Sequence, residues 1–243
     1  MLKGGIMHQS EQSNRASSSE MVLAHLREQI INGQLAPRER LLESDIAKRL
    51  GVSRGPVRDA LKRLAIEGLV DYKPNKGCSV ARLSPKDAYE VFFLRGNLEK
   101  LAIQKSNCRI NDYGLLTMET TLEELRTATE DEDLMRAIKA DELFHQQIIR
   151  SAQIDRLTKM WELLSPLNSA MFLSVQDANR FGIQINDRET LAKGSALDSH
   201  TELYKAIKRN DQEAACRLLD VHYEATGERV YRLSLLREKA GIA

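Results

Sequence analysis

Gly51 and the segment that follows it, Ser53-Arg54-Gly55-Pro56-Val57-Arg58, constrain this chain more than any other feature. A short helix read from Glu43 to Leu50 stops at Gly51, and Ser53 supplies an N-cap for the next one. Val57, Leu61, Leu64 and Ala65 give that helix one apolar face as far as the helix-ending Gly68. Two helices joined by so tight a turn form a helix-turn-helix. Upstream, Ser17-x-x-Glu20 is a capping-box pattern ahead of Val22, Leu23, Leu26 and Ile30, so a first helix is expected to begin there and end at Asn32-Gly33. Downstream, Leu69 to Tyr72 and Cys78 to Ala81 read as strands around the turn Lys73-Pro74-Asn75-Lys76-Gly77. The expected unit is a winged helix with a small β-hairpin wing.

In such a unit the second helix of the pair enters the major groove with its N-terminal residues leading. Arg54 and Arg58 are four apart, hence on one face, and each guanidinium can fork onto a guanine or a phosphate. Ser53 and the free N–H groups of the first turn can hold a phosphate as well. A plain surface helix would account for the arginines, but not for the turn, the capped start and the hairpin together. Charge points the same way. Up to Arg82 there are 14 Lys and Arg against 9 Asp and Glu, a balance of +5, while the rest of the chain carries −4.

The remaining chain reads as helix throughout. Ser84-Pro85-x-Asp87 offers an N-cap, a proline at the first helical position and an early acid. Apolar stripes follow at Ala88/Val91/Leu98/Ala102, Leu115/Met118/Leu122/Leu125, Leu134/Ala137/Ile138/Phe144/Ile148 and Leu157/Met160/Trp161/Leu164, then at Leu197/Tyr204/Ile207 and Ala215/Leu218/Leu219. Six or seven helices in an antiparallel bundle are expected. Between Asp177 and Lys193 the pattern is polar and supports helix and loop equally. The fold class is thus mostly α. The expected organisation is a Ser, Gln and Asn rich disordered leader over 1–18, a winged helix over 19–82 and an all-helical effector-binding and dimerisation domain over 83–243. No run approaches the roughly 18 apolar residues of a membrane span and no secretory signal opens the chain, so a cytoplasmic protein with reduced Cys78, Cys108 and Cys216 is expected.

Four polar residues fall where these stripes call for apolar ones. Asp141 and His145 are four apart on the face of Ile138, Phe144 and Ile148. His200 lies in the stripe of Leu197, Leu203, Tyr204 and Ile207, and His222 follows Leu218 by four. Any one of these histidines alone is more readily a hydrogen-bonded core residue. Three of them with a carboxylate, which is costly to bury unpaired, point to a divalent metal, zinc first among zinc, nickel, manganese and iron. Arg95 lies on the inner face of its helix, where a buried guanidinium needs an anion. An acid effector would supply one; Glu99 or another internal acid would serve equally. His8 in the leader and His25 on the outer face of the first helix are set aside as ligands. A metallohydrolase reading finds no general base and leaves the winged helix unexplained, and a DNA-binding factor with a purely structural metal leaves Arg95 without a task.

The blocks Arg40 to Ala47, Leu50 to Leu61 and Glu67 to Val70 resemble the GntR family of repressors, at that family's spacing. The resemblance implies a winged helix in which Arg54 and Arg58 contact the operator and the wing tip Lys76-Gly77 enters the adjacent minor groove. Asp141-x-x-Phe144-His145, His200 ahead of Ala206-Ile207 and Asp211, and His222 resemble the FCD effector domain of the FadR subfamily, so that the likeness covers roughly residues 20 to 235. It implies a repressor with a metal held by Asp141, His145, His200 and His222 and an organic acid effector met by Arg95. A homodimer on a short inverted repeat of double-stranded DNA is expected because one helix-turn-helix buries too little and two-fold protein symmetry is mirrored in the operator. Three departures stand out: Gly55 where Thr is usual, Pro37-Arg38 for Pro-Gly, and Ile154 where Asn is usual.

Overall fold

The computed structural model describes residues 4–73, 76–180 and 196–239. It divides into two compact units, Met1–Arg82 and Leu83–Ile242. The first holds α1 (Gly4–Ile31), α2 (Glu43–Leu50), α3 (Arg54–Ile66), β1 (Val70–Lys73) and β2 (Gly77–Val80). Val22, Leu23 and Leu26 of α1 are buried, as are Val57, Ala60, Leu61 and Leu64 of α3, against which α1 packs. Here α1 begins well before Ser17, which lies inside it, so the Ser17-x-x-Glu20 pattern caps nothing. Once a packed segment has nucleated, each further residue adds a hydrogen bond at little cost.

At the turn, Gly51 takes φ 66° and its N–H closes α2 onto the Ala47 carbonyl. A side chain in that left-handed conformation costs about 1 kcal/mol. Gly51→Ala is therefore expected to lower the stability of the winged-helix unit by about that much in urea unfolding. An unchanged midpoint and slope would show that the turn tolerates a Cβ. Ser53 holds the N-cap position of α3 with extended backbone, but its side chain makes no capping hydrogen bond, contrary to the sequence expectation. The hydroxyl is exposed at the head of the helix.

The two strands pair antiparallel, from Val70 opposite Val80 to Lys73 opposite Gly77, each strand displaced by about one residue from its expected bounds. Lys76 N–H donates to the Lys73 carbonyl at 3.0 Å and closes the wing; Pro74 and Asn75 lie outside the described residues. A third short segment joins the hairpin, since Leu41 N–H donates to Cys78 O and Val80 N–H to Glu39 O. The turn into that segment has Arg38 at φ 70°. The departure from Pro-Gly thus falls where backbone geometry favours glycine.

The second unit holds α4 (Pro85–Lys105), α5 (Asp112–Glu130), α6 (Leu134–Ser151), α7 (Asp155–Arg180), α8 (Ala196–Lys208) and α9 (Gln212–Lys239). Ser84 and Asp87 form a reciprocal capping box at the head of α4, with Pro85 in the first turn. Phe92, Phe144, Ile148, Trp161, Leu203 and Leu219 are among the side chains of one continuous core. Leu98, placed in the inner stripe from sequence, is only half-buried, and Glu99 takes the inner position beside it. The helix α7 runs on past Asp177 to Arg180, while residues 181–193 of that ambiguous segment lie outside the described residues. A close approach sets α4 against α9: a Cβ on Gly96 would meet the Tyr223 ring at 3.0 Å. This contact brings Glu99 and Tyr223 into one polar pocket of the core.

Candidate DNA-reading face and buried Asp-His cluster

Pro56 and Val57 are buried under α3, which leaves Ser53, Arg54 and Arg58 exposed along the opposite face. Lys62 continues that exposed row one turn on; the i, i+4, i+8 spacing could have found it in the sequence. Arg58 is not idle. Its Nε donates to both carboxylate oxygens of Glu43 at 3.0 and 3.1 Å, and its Nη2 donates to Oε2 at 2.8 Å. The hydrogen bond from Arg58, together with the charges of Arg58, Arg54 and Lys62, holds Glu43 below the ordinary carboxylate range despite partial burial. One acid from α2 thus pins an arginine of α3 through its Nε and Nη2 edge. Lys76 and Gly77 are exposed at the wing, Gly77 with φ 114°.

In the helical unit, Asp141 and His145 from α6, His200 from α8 and His222 from α9 converge, with one ligand atom from each lying within 4.8 Å of all the others. His200 Nε2 is 2.9 Å from Asp141 Oδ1, and His145 Nε2 is 3.8 Å from it. The two Nε2 atoms of His145 and His200 face each other at 3.1 Å. Nitrogens that close share at most one proton, so at least one lone pair points into the cluster. His145 and His200 are almost fully buried, Asp141 and His222 half-buried.

The orientation of His145 is set from behind. Its Nδ1 sits 2.6 Å from Glu99 Oε2, and Glu99 is itself wholly buried. Trp161 Nε1 donates to the other oxygen of Glu99 at 2.8 Å, and Tyr223 donates its hydroxyl to the same atom. A carboxylate behind an imidazole fixes the tautomer with Nδ1 protonated and Nε2 free to bind an ion. Ser199 Oγ lies 3.2 Å from His222 Nδ1; a hydroxyl can donate or accept there, so this contact orients the ring without fixing its tautomer.

Electrostatics follow this arrangement. Burial works against ionising Asp141, but the His200 hydrogen bond and the fields of His145, His200 and His222 outweigh it and keep the acid far below its usual range. Burial also works against the His145 imidazolium, yet Glu99 raises its pKa. His222 is driven well below its ordinary value by burial and by the two neighbouring histidines. The set is one ionised carboxylate and three imidazoles with nitrogens turned inward, a donor set suited to zinc and its first-row neighbours. Donors about 2.1 Å from one ion lie roughly 3 to 4.2 Å apart, so ligand atoms that lie within 4.8 Å of one another would have to draw in by about an ångström to hold one.

Arg95 is 1% exposed and faces the same interior. Its partner is not Glu99, as the spacing allowed, but Glu142, whose Oε2 accepts from Nη2 at 2.9 Å. Glu99 is already engaged by three other donors. The Arg95 guanidinium lies over the Trp161 ring at 4.1 Å, and Nη1 reaches Ser165 Oγ at 3.3 Å. Burial opposes the charge of Arg95, yet Tyr223, Glu142, Glu99 and Asp141 around it hold the pKa above the ordinary guanidinium value. Sequence reasoning missed Glu142, since adjacency to Asp141 on a helix puts it about 100° away. It also passed over Glu99 as a partner of His145, although the positions 92, 95, 99 and 102 repeat as an inner face.

Residues 18–80 match the model for bacterial regulatory proteins of the gntR family, and residues 90–225 match that for the FCD domain. The gluconate operon transcriptional repressor of Bacillus licheniformis is 27% identical over 225 residues, covering 93% of this chain and 90% of the relative. The HTH-type transcriptional repressor RspR of Escherichia coli K12 is 25% identical over 217 residues, covering 88% and 90%. Among solved structures, E. coli McbR/YncC has the same fold, with a TM-score of 0.71 at 24% identity over 88% of this chain and 97% of that one. These relatives are regulators rather than enzymes, and no helix among the described residues is long and apolar enough to cross a membrane. The chain belongs to the GntR family of bacterial transcriptional regulators and carries an FCD domain behind its helix-turn-helix.

Proposed function

We propose that this regulator is a homodimeric repressor that binds a short inverted repeat, holds a divalent metal on Asp141, His145, His200 and His222, and answers to a small organic acid. The observation that carries the reading is the convergence of those four side chains from three helices beside a buried arginine. A metal held there by Asp141, His145, His200 and His222 would supply positive charge able to attract an acid. The chain's own groups do the rest. Glu99 and Ser199 orient the imidazoles, and Arg95, shielded from water, attracts the carboxylate of the acid. Gluconate, the acid in whose operon the B. licheniformis relative is named, is the first acid to test. An apolar row on α4, Tyr89 stacked on Phe93 with Leu101 two turns on, is exposed and suits a second copy.

On DNA, Arg54 and Arg58 read bases or phosphates, Ser53 holds a phosphate, and Lys76 with Gly77 reaches the minor groove. The test begins with selection of an operator from random duplexes by the full-length chain, followed by footprinting, which should show a two-fold protected site. Arg54→Ala and Arg58→Ala are each expected to lose roughly 5- to 150-fold in operator affinity if the contact is to a base. Undiminished binding by both variants, or an asymmetric half-site bound by one monomer, contradicts the assignment.

A further inference from the structure

Among the described residues, only two buried side-chain donors lack a hydrogen-bond partner, Arg95 Nε and Asn168 Nδ2. Arg95 is 1% exposed and Asn168 2%, so neither donor is satisfied by bulk water. Orphans of this kind are uncommon in folded proteins and call for an explanation. Both residues belong to helices that pack on each other, α4 and α7. Arg95 on α4 meets Trp161 and Ser165 on α7, and Phe92, one turn earlier on α4, meets Phe172 of α7 edge-on at a centroid distance of 5.6 Å. Asn168 occupies the turn of α7 between Ser165 and Phe172. The spacing 161, 165, 168 and 172 puts it on the same face of α7 as the residues that meet α4.

We propose that Arg95 and Asn168 form a two-donor subsite for one oxyanion group of the effector, the Arg95 Nε edge and the Asn168 amide each donating to it. This deepens the acid-binding reading above and rests on it. The chemistry commits the ligand to carrying a carboxylate. Arg95 brings the charge, and Glu142 already offsets that charge through Nη2. Asn168 adds a donor without adding charge, so the subsite suits an anionic group of single charge rather than a doubly charged phosphate. In this arrangement Glu142 keeps the guanidinium in place without blocking Nε.

Asn168→Leu and Asn168→Met replace the orphan amide by apolar groups of similar size in the full-length protein. Thermal unfolding, with and without D-gluconate, succinate or citrate, reads both consequences. Removing an unsatisfied buried donor is expected to leave the melting temperature without acid equal to or above that of the parent chain. An acid that raises the parent's melting temperature should bind these variants about 10-fold more weakly or worse, the loss of one hydrogen bond to a charged group. Two results overturn the subsite: both variants melting below the parent without acid, which means the fold itself uses the amide, or acid affinity unchanged in both while Arg95→Met abolishes it. Acids that stabilise neither the parent nor any variant overturn the acid-binding reading and the subsite with it. Acid binding lost in Arg95→Met and kept in the Asn168 variants leaves that reading standing and removes only the subsite.

Discussion

Replacing Glu99 by glutamine is expected to lower divalent metal affinity roughly 10- to 100-fold, although Glu99 lies outside the Asp-His cluster. The carboxylate accepts from three groups at once, His145 Nδ1, Trp161 Nε1 and the Tyr223 hydroxyl. An amide of the same shape has only one accepting oxygen, so its NH2 must face one of those donors. The imidazole of His145 is then free to turn or to change tautomer, and its Nε2 is no longer committed to the cluster. Glu99→Ala goes further, leaving three buried donors unpaired around a cavity at an expected cost of about 3–5 kcal/mol. The two effects separate. Trp161→Phe removes one donor and keeps His145 oriented, so it should lose stability with little change in metal affinity. Zinc titration against a competing chelator, beside urea unfolding of the same samples, reads both quantities. Parent-like zinc affinity in a folded Glu99→Gln protein would mean that the carboxylate only fills and satisfies the core.

The second large effect is expected at His200 set against Arg95. His200 Nε2 touches both Asp141 Oδ1 and His145 Nε2, so His200→Ala removes the atom at the centre of the cluster. Metal affinity should fall by more than the roughly 100-fold expected of an orienting partner, and the response to acid should fall with it. Arg95→Met should keep the metal and lose the acid. Its former partner Glu142 is partly open to solvent, so it can rehydrate when the guanidinium is gone. If both variants kept metal and acid response, the histidines would be core residues and the arginine a structural ion pair.

Much of the fold was legible because its signals are local. Gly51 stands where a left-handed residue ends α2, and Ser84-Pro85-x-Asp87 closes a capping box within four residues. The inward spacing of Asp141 and His145 needs only the helical repeat. What the sequence could not yield depends on partners far along the chain or on cooperativity. Glu99 meets His145 across 46 positions and Tyr223 across 124, and nothing in a local window says that it will satisfy those groups rather than Arg95. The pairing of Arg58 with Glu43 needs the docked geometry of α2 on α3. The start of α1 is not written in a cap, because a helix held by Val22, Leu23 and Leu26 extends upstream at little cost. Ser53 stands at the N-cap position of α3 without a capping hydrogen bond, and its residue type and position alone would have called for one.

If one buried site couples metal, acid and DNA, the acid can act on the operator only while the metal is held. A ligand changes operator affinity only through its different affinities for the two states of the protein, typically about 5- to 150-fold. The most direct measurement is operator affinity by fluorescence anisotropy on the full-length protein, titrated with the acid that stabilises it, before and after removal of metal by chelation. Acid is expected to shift operator affinity by that order before chelation and to have no effect after it, and added zinc to restore the response. An acid response of the same size in metal-free protein, confirmed by elemental analysis, would contradict that coupling.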